Sequence, residues 1–341
     1  MLLKGNYKLY LNKLLDSYKK IVVFTNKTLA DKIIIPSRCS LHRVAPNPTQ
    51  ESVDKMIRSI SPPEIIVSIG GGSVIDFGKL IAYKFKVKHI AIPTTIGSGS
   101  EATKYVVVTV QENNKILKKS IEDKKLVPDY AILDAGLVTT LPRIQIATSG
   151  LDALSQAIEA YWSINANKES DRFAKLAIIH INKYFTKFYK DPKDKKLGKL
   201  MLEAAYFAGR AINIARTTIC HSISYPLTNY YNIPHGIACA ITLPDFLWFN
   251  SKVTNKDCQD SRGSKFVKKK IRKLCDILGD GSVESAVVRL NYIIKKVGVN
   301  RKKILSKVDI NKVVEEGLAL RAKNNPRKVT RDDIKDILSR N

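Results

Sequence analysis

Residues 64–85 read EIIVSIGGGSVIDFGKLIAYKF. A β-branched apolar run, Ile65 to Ile69, meets three glycines, Gly70, Gly71 and Gly72. Ser73 stands at an N-cap position, and Val74, Ile75, Phe77, Leu80 and Ile81 then recur at helical spacing. This is strand, glycine turn, helix. Upstream, KKIVVFTN (19–26) is a similar short apolar run ending in polar residues. Downstream, KHIAIPTT (88–95) is a third strand, and VVVTV (106–110) and YAILD (130–134) are further ones. Strands alternating with helices predict an α/β domain with a mainly parallel sheet. Near Leu141-Pro142 the texture changes. ATSGLDALSQAIEAYWS (147–163), ESDRFAKLAIIHINKYF (169–185), GKLMLEAAYFAGRAINIA (198–215) and SVESAVVRLNYIIKKVG (282–298) all carry helical periodicity. The expected organisation is an α/β domain over residues 1–142 and an all-helical domain over 143–341.

The 341 residues fit two domains, and an apolar content of 44% can fill their cores. No apolar run reaches the roughly 18 residues that span a bilayer. The opening MLLKGNYKLYLNKLLDSYKK mixes apolar and basic residues and lacks a signal-peptide core. A cytoplasmic protein with no membrane partner is expected. The cysteines, Cys39, Cys220, Cys239, Cys258 and Cys275, are odd in number and form no CxxC. This argues against a disulfide framework or a zinc-thiolate site, and Cys220 and Cys239 read as small core residues. The net charge of +27 comes from dispersed lysines, with no nucleic-acid motif and no regular basic–aromatic interleaving. It reads as solvated faces rather than a nucleic-acid surface.

Two loops suit a nucleotide. In the first, Gly70, Gly71 and Gly72 permit unusual backbone angles and close approach of phosphate oxygens. Ser73 opens a helix whose free N–H groups favour an anion. Asp76, one turn in, can reach a ribose or nicotinamide edge. In the second, IPTTIGSGSEAT (92–103), Thr94, Thr95 and Ser98 offer hydroxyls around a flexible backbone. The pattern is not GxGxxG, so an ordinary Rossmann dehydrogenase is disfavoured.

Five histidines occur in the chain, and His221 and His235 lie fourteen residues apart in CHSISYPLTNYYNIPHG (220–236). Asp152 and Gln156 sit four apart on a helix, sharing a face. One carboxylate and two imidazoles with an open position suit catalytic Zn²⁺ or Fe²⁺, and Gln156 adds a neutral amide oxygen, a weak ligand. Such an ion can polarise a carbonyl and stabilise the alkoxide formed on hydride arrival.

Together, SIGGGSVIDFGKLIA, AIPTTIGSGSEAT, PDYAILDAGLVTTLP, SGLDALSQAIEAYWS, HSISYPLTNYYNIPHGIACAITLP and NNPRKVTRDDIKDIL resemble the iron-containing (group III) alcohol dehydrogenase family. The resemblance covers almost the whole chain. It implies a dinucleotide-binding α/β domain followed by a helical domain, the dehydroquinate synthase-like architecture, with a metal in the cleft. It assigns Gly70, Gly71, Gly72 and Ser73 to the pyrophosphate, and Asp76, Thr94, Thr95 and Ser98 to the rest of NADH or NADPH. Asp152, His221 and His235 fall on three of four metal-ligand positions. Gln156 stands where the family has its third ligand histidine, and Tyr225 where it has another histidine, leaving a phenol or water to relay a proton. Asn26 ends a strand where NAD-preferring members carry an acid, so NADPH is admitted.

The closer resemblance is to the phosphonoacetaldehyde reductase branch, through GLDALSQAIEAYWSINANKES and AGRAINIARTTICHSISYPLT. This implies reduction of a small anionic aldehyde. Arg216, five residues before His221, becomes a catalytic and substrate-binding candidate, a buried cation gripping the phosphonate. Arg210 and Lys119 are further candidates for that role. A homodimer or larger homo-oligomer is implied by analogy. The alternatives are a reductase of another small aldehyde, a glycerol-1-phosphate dehydrogenase or sugar-phosphate cyclase of the related fold, and a basic nucleic-acid-binding protein.

Overall fold

The computed structural model describes residues 1–112, 115–279, 281–318 and 320–339. Arg340 and Asn341, the end of the expected second domain, lie outside the described residues. Contacts divide the chain into two units, Met1–Leu141 with Lys193–Tyr206, and Pro142–Pro192 with Phe207–Asn341.

Among the described residues, the first unit holds the strands β1 (Leu2–Lys4), β2 (Ile21–Thr25), β3 (Cys39–Arg43), β4 (Ile65–Gly70), β5 (Lys88–Pro93), β6 (Tyr105–Glu112), β7 (Lys115–Glu122) and β8 (Tyr130–Leu133). Six form one parallel sheet in the order β1-β8-β5-β4-β2-β3. The VVVTV run enters β6, which pairs antiparallel with β7 outside that sheet. Every residue of β2 and β4 is buried. Central parallel strands are covered on both faces and so read as unbroken apolar runs. Alternate residues serve opposite faces. Ile21, Val23, Ile65, Val67 and Ile69 meet Leu11 and Leu15 of α1 (Tyr7–Leu15). Val22, Phe24 and Ile66 meet Val74, Phe77 and Ile81 of the helix after the glycines. The edge strands β1 and β3 escaped the sequence reading because they are short or half-exposed and carry no such run.

After β2 the chain moves outward to β3. It then returns to β4 on the other side of β2 and continues to β5. The strand order therefore reverses between β2 and β4, and ligands of open parallel sheets bind outside the carboxyl ends of strands at such a reversal. Asn26 follows one of these ends and Gly71 the other. The remaining helices here are α2 (Lys27–Ala30), α3 (Gln50–Ser59) and α4 (Gly72–Phe85).

The second unit is helical: α5 (Arg143–Trp162), α6 (Lys168–Lys190), α7 (Lys195–Ala215, whose first half counts with the first unit), α8 (Ile219–Tyr231), α9 (His235–Ala240) and α10 (Leu243–Ser251). Then come α11 (Ser264–Leu278) and α12 (Val283–Lys296), followed by shorter helices. From Gly150 to Trp162 every residue of α5 is buried, so this helix is enclosed on all sides. Gly150 makes that possible on one side, because a Cβ there would lie 2.1 Å from the ring of Phe185. No described helix is long and apolar enough to cross a membrane.

Candidate functional site

The glycine loop is needed for close approach rather than for unusual backbone angles. None of Gly70, Gly71 and Gly72 has a positive φ, contrary to the expectation above, whereas Gly99 does. A Cβ on Gly72 would lie 2.8 Å from Ser98 Oγ, and one on Gly71 3.2 Å from Thr95 Cγ2. Thr94 N donates to Gly70 O at 3.0 Å, tying the two loops together. Ser73 is not the N-cap; Gly71 is, with no side-chain cap. Ser73 Oγ instead accepts from Asn47 N at 3.3 Å. The first turn of α4 thus keeps N–H donors that no side chain caps, at the point where the strand order reverses.

Two residues expected to face the cofactor have structural engagements. Asp76 accepts from Ser100 Oγ and, at 3.0 Å, from Val107 N, and lies 3.9 Å from Lys79 Nζ. Lys79 is itself buried and donates to Thr103 O at 2.8 Å and Tyr105 O at 2.9 Å. Asn26 caps α2, its side chain accepting from Leu29 N at 3.0 Å.

In the helical unit, three segments bring ligand atoms together. Asp152 and Gln156 lie on one face of α5. His221 lies in the first turn of α8, and His235 begins α9. Asp152 Oδ1 is 3.4 Å from His221 Nε2 and 3.9 Å from His235 Nε2. The two imidazoles meet edge-on with centroids 5.4 Å apart. The close approach of α9 to α5 depends on Gly236. A Cβ there would lie 1.9 Å from Thr148 O and 2.8 Å from Asp152 Cβ.

Two groups that the sequence reading missed complete the cluster. Glu159, seven residues after Asp152, is fully buried on α5. Its Oε2 accepts from His221 Nδ1. Its Oε1 accepts from Thr218 Oγ1 at 2.7 Å, Cys220 N at 2.8 Å and Thr218 N at 3.1 Å, capping α8, which has no side-chain cap of its own. With a proton held on Nδ1, His221 presents Nε2 to Asp152. The signal was the Asp152–Gln156–Glu159 spacing of four and seven, one helical face. The second missed group is Cys239, four residues after His235. It is buried, as expected of a core cysteine, but its Sγ is 3.8 Å from His235 Nε2. Ligand atoms of Asp152, His221, His235 and Cys239 all lie within 4.8 Å of one another. Cys239 is a buried core residue, as the sequence suggested, and its thiol also lies beside the two imidazoles and Asp152.

Electrostatics fit a cation. Burial pushes the Asp152 and Glu159 carboxyls up, but the imidazoles and their hydrogen bonds outweigh it and hold both below the usual range. Burial pulls His221 and His235 down, yet the anionic neighbours, Cys239 foremost, raise both, His221 well above its ordinary value. Burial raises the Cys239 thiol, and the two imidazoles overcome it, lowering the thiol to about 7. The shifts hold Asp152, Glu159 and Cys239 in their anionic forms and favour positive charge on the two imidazoles among them. Asp152 Oδ1 is buried and accepts no hydrogen bond of good geometry. A buried carboxylate oxygen left without a donor fits a divalent ion, and the donor set is one that Zn²⁺ or Fe²⁺ accepts. Gln156 hydrogen-bonds to the Asp152 carboxylate.

The other candidates fall as follows. The Tyr225 ring is 6.1 Å from that of His235. Arg216 is exposed, not buried as anticipated; it directly follows α7 with a left-handed φ of 62°. Arg210 pairs with Glu169 at 3.4 Å and lies over the Phe173 ring. Lys119 is an exposed residue of β7 in the other unit. Arg321, which the sequence reading passed over, lies 5.4 Å from the Tyr225 ring centroid and donates Nη1 to Thr217 Oγ1 at 2.6 Å.

Comparison with known proteins gives the class. Residues 8–135 match the family described as "Iron-containing alcohol dehydrogenase", and residues 146–341 match "Fe-containing alcohol dehydrogenase family, C-terminal". The chain belongs to the iron-containing alcohol dehydrogenase family, NAD(P)-linked oxidoreductases that use a divalent metal. It is 31% identical over 318 positions to the phosphonoacetaldehyde reductase of Streptomyces viridochromogenes, covering 85% of this chain and 80% of that protein. It is 30% identical over 330 positions to the NADPH-dependent butanol dehydrogenase of Clostridium saccharobutylicum, covering 86% and 81%. The fold is similar to that of sulfoacetaldehyde reductase from Bifidobacterium kashiwanohense in complex with NAD⁺. There the TM-score is 0.87 at 24% identity, over 99% of this chain and 96% of that one.

Proposed function

We propose that this enzyme reduces a small anionic aldehyde to its primary alcohol, with phosphonoacetaldehyde the substrate and 2-hydroxyethylphosphonate the product. In this reading residues 1–142 hold NADPH or NADH, and residues 143–341 hold the metal and the substrate. The observation that carries it is the convergence of Asp152, His221 and His235 from three segments onto one point. When bound, the nicotinamide supplies hydride, and Fe²⁺ or Zn²⁺ withdraws electron density from the carbonyl.

The chain's own residues do the rest. The uncapped start of α4 and the bare backbone of Gly70, Gly71 and Gly72 receive the pyrophosphate, with the hydroxyls of Ser73, Thr94, Thr95 and Ser98 around it. Asn26 carries no negative charge to repel a 2′-phosphate, which supports NADPH. Glu159 fixes the tautomer of His221. Tyr225, beside His235, offers a phenol for the proton that the alcohol oxygen takes up.

Arg216 and Arg321 flank Thr217 and supply positive charge for the phosphonate. The left-handed φ of Arg216 is that of a residue ending a helix, as at Lys86 and Asn232. The similarity to phosphonoacetaldehyde reductase supports this choice, and the similarity to a butanol dehydrogenase supports the second reading, an uncharged aldehyde.

One assay separates them. NADPH oxidation is followed across aldehydes with and without an anionic group, on metal-stripped enzyme and on enzyme reloaded with Fe²⁺ or Zn²⁺. Activity should require metal and favour phosphonoacetaldehyde. Arg216→Gly, which suits the backbone at that position, and Arg321→Ala should each raise KM far more for phosphonoacetaldehyde than for butanal. Equal effects on both substrates would overturn the phosphonate assignment. Cys39, Cys220, Cys239, Cys258 and Cys275 form no disulfide among the described residues, and a homodimer or larger assembly is checked by sedimentation.

A further inference from the structure

We infer that the fourth protein ligand of the metal is the thiolate of Cys239, and that Gln156 is a positioning residue that orients Asp152. The inference rests on the metal reading proposed above and adds to it the donor that makes this site unlike an all-nitrogen-and-oxygen one.

Geometry places Cys239 at the cluster, and donor chemistry ranks it above Gln156. Metal–ligand bonds of about 2.0–2.3 Å place the corners of a tetrahedral site about 3.3–3.8 Å apart. The recorded separations are 3.4 Å from Asp152 Oδ1 to His221 Nε2, 3.9 Å from Asp152 Oδ1 to His235 Nε2, and 3.8 Å from Cys239 Sγ to His235 Nε2. All four ligand atoms lie within 4.8 Å of one another. Cys239 therefore stands at the spacing of a coordination corner before any side chain moves. Helix geometry explains why. His235 and Cys239 are four residues apart on α9, so both project from one face, and Gly236 brings that helix against α5 at Asp152. Gln156 donates its amide N–H to the Asp152 carboxylate, which orients that ligand, while its buried Oε1 accepts no hydrogen bond, as Asp152 Oδ1 does not. A neutral amide oxygen is also a weak transition-metal ligand beside a thiolate.

The chemical consequence is a softer, more electron-rich donor set of one carboxylate, two imidazoles and one thiolate. Such a set favours zinc over the harder divalent ions. With these four residues holding the ion, it would polarise a substrate carbonyl by adding that oxygen to the set, an expansion that catalytic zinc sites sometimes make.

Cobalt reports the sulfur directly. The full-length enzyme is stripped with a chelator, reloaded with Co²⁺ and examined by absorption spectroscopy. Wild type should show visible ligand-field bands together with a near-ultraviolet thiolate-to-cobalt charge-transfer band. Cys239→Ser should keep ligand-field bands, lose the charge-transfer band and bind cobalt at least about ten-fold more weakly, the low end of the loss seen on removing even an outer partner. Gln156→Ala and Cys220→Ser should both retain the band. The double variant Gln156→His, Cys239→Ser should recover tight binding without the band. That recovery shows that the single serine variant lost a ligand rather than its fold. Ligand-field bands with no charge-transfer band in wild type would overturn this inference and leave the proposed function standing. The same holds for a charge-transfer band that survives Cys239→Ser. A wild-type protein that takes up no cobalt would overturn both.

Discussion

Gly236→Ala tests whether the metal centre depends on how closely two helices approach. The added Cβ would lie 1.9 Å from the carbonyl oxygen of Thr148 and 2.8 Å from both Cβ and N of Asp152. The nearest of these is backbone, so no side chain can rotate away. Ordinary contact begins near 3.4 Å. The N-terminal end of α9 must therefore retreat from α5 by about 1.5 Å, carrying His235 away from Asp152. Overpacking of this kind destabilises by about 1–3 kcal/mol. At about 2–4 °C per kcal/mol for a domain of this size, Tm should fall by roughly 2–12 °C. Displacement of a ligand by more than 1 Å should reduce turnover by on the order of a hundred-fold. The assays are a thermal melt, a cobalt titration and single-turnover NADPH oxidation. Gly263→Ala is the control. Gly263 has a φ of 86° and nothing within 4 Å of a Cβ, so its alanine variant should lose stability through backbone strain with metal affinity intact. If Gly236→Ala bound cobalt as tightly as wild type, the claim that α9–α5 contact sets the site would fail.

Two further outcomes follow from the buried charges. Glu159→Gln should weaken cobalt binding about 10–100-fold by loosening His221, and Glu159→Ala should also destabilise by about 1–3 kcal/mol for each buried N–H of Thr218 and Cys220 left without an acceptor. Unchanged affinity in both variants would show that His221 is held by other contacts. In the α/β unit, burial pushes the carboxyl of Glu101 up from 4.5 to about 7, against the pull of Lys79. The native state then holds a proton that the unfolded chain releases. This contribution to stability is complete below pH 4.5 and is lost as pH rises through about 7. Urea titrations of Glu101→Gln and wild type should diverge over that window by on the order of 3 kcal/mol, the variant keeping its stability at the upper end. Parallel curves would refute it.

Some of the molecule was legible in the sequence, because it depends on neighbours in the chain. The buried runs IVVFT and IIVSIG could only be central strands, and the spacing of Val74, Ile75, Phe77, Leu80 and Ile81 could only be a helix lying on them. Asp152, Gln156 and Glu159 share a face by helical period alone, although the third was not recognised. Motif resemblance pointed to His221 and His235 through their order along the chain. What depends on contacts between distant segments was not legible. Cys239 looked like any small core residue until Gly236 let α9 meet α5. Arg216 looked like a buried cation, and only the fold showed it exposed at the end of α7; Arg321 drew no notice until the fold brought it to Thr217. Local periodicity is set by backbone geometry every few residues, and so it is written in the chain. Which donors share a metal is set by helix packing at ångström distances, and only the tertiary structure decides that.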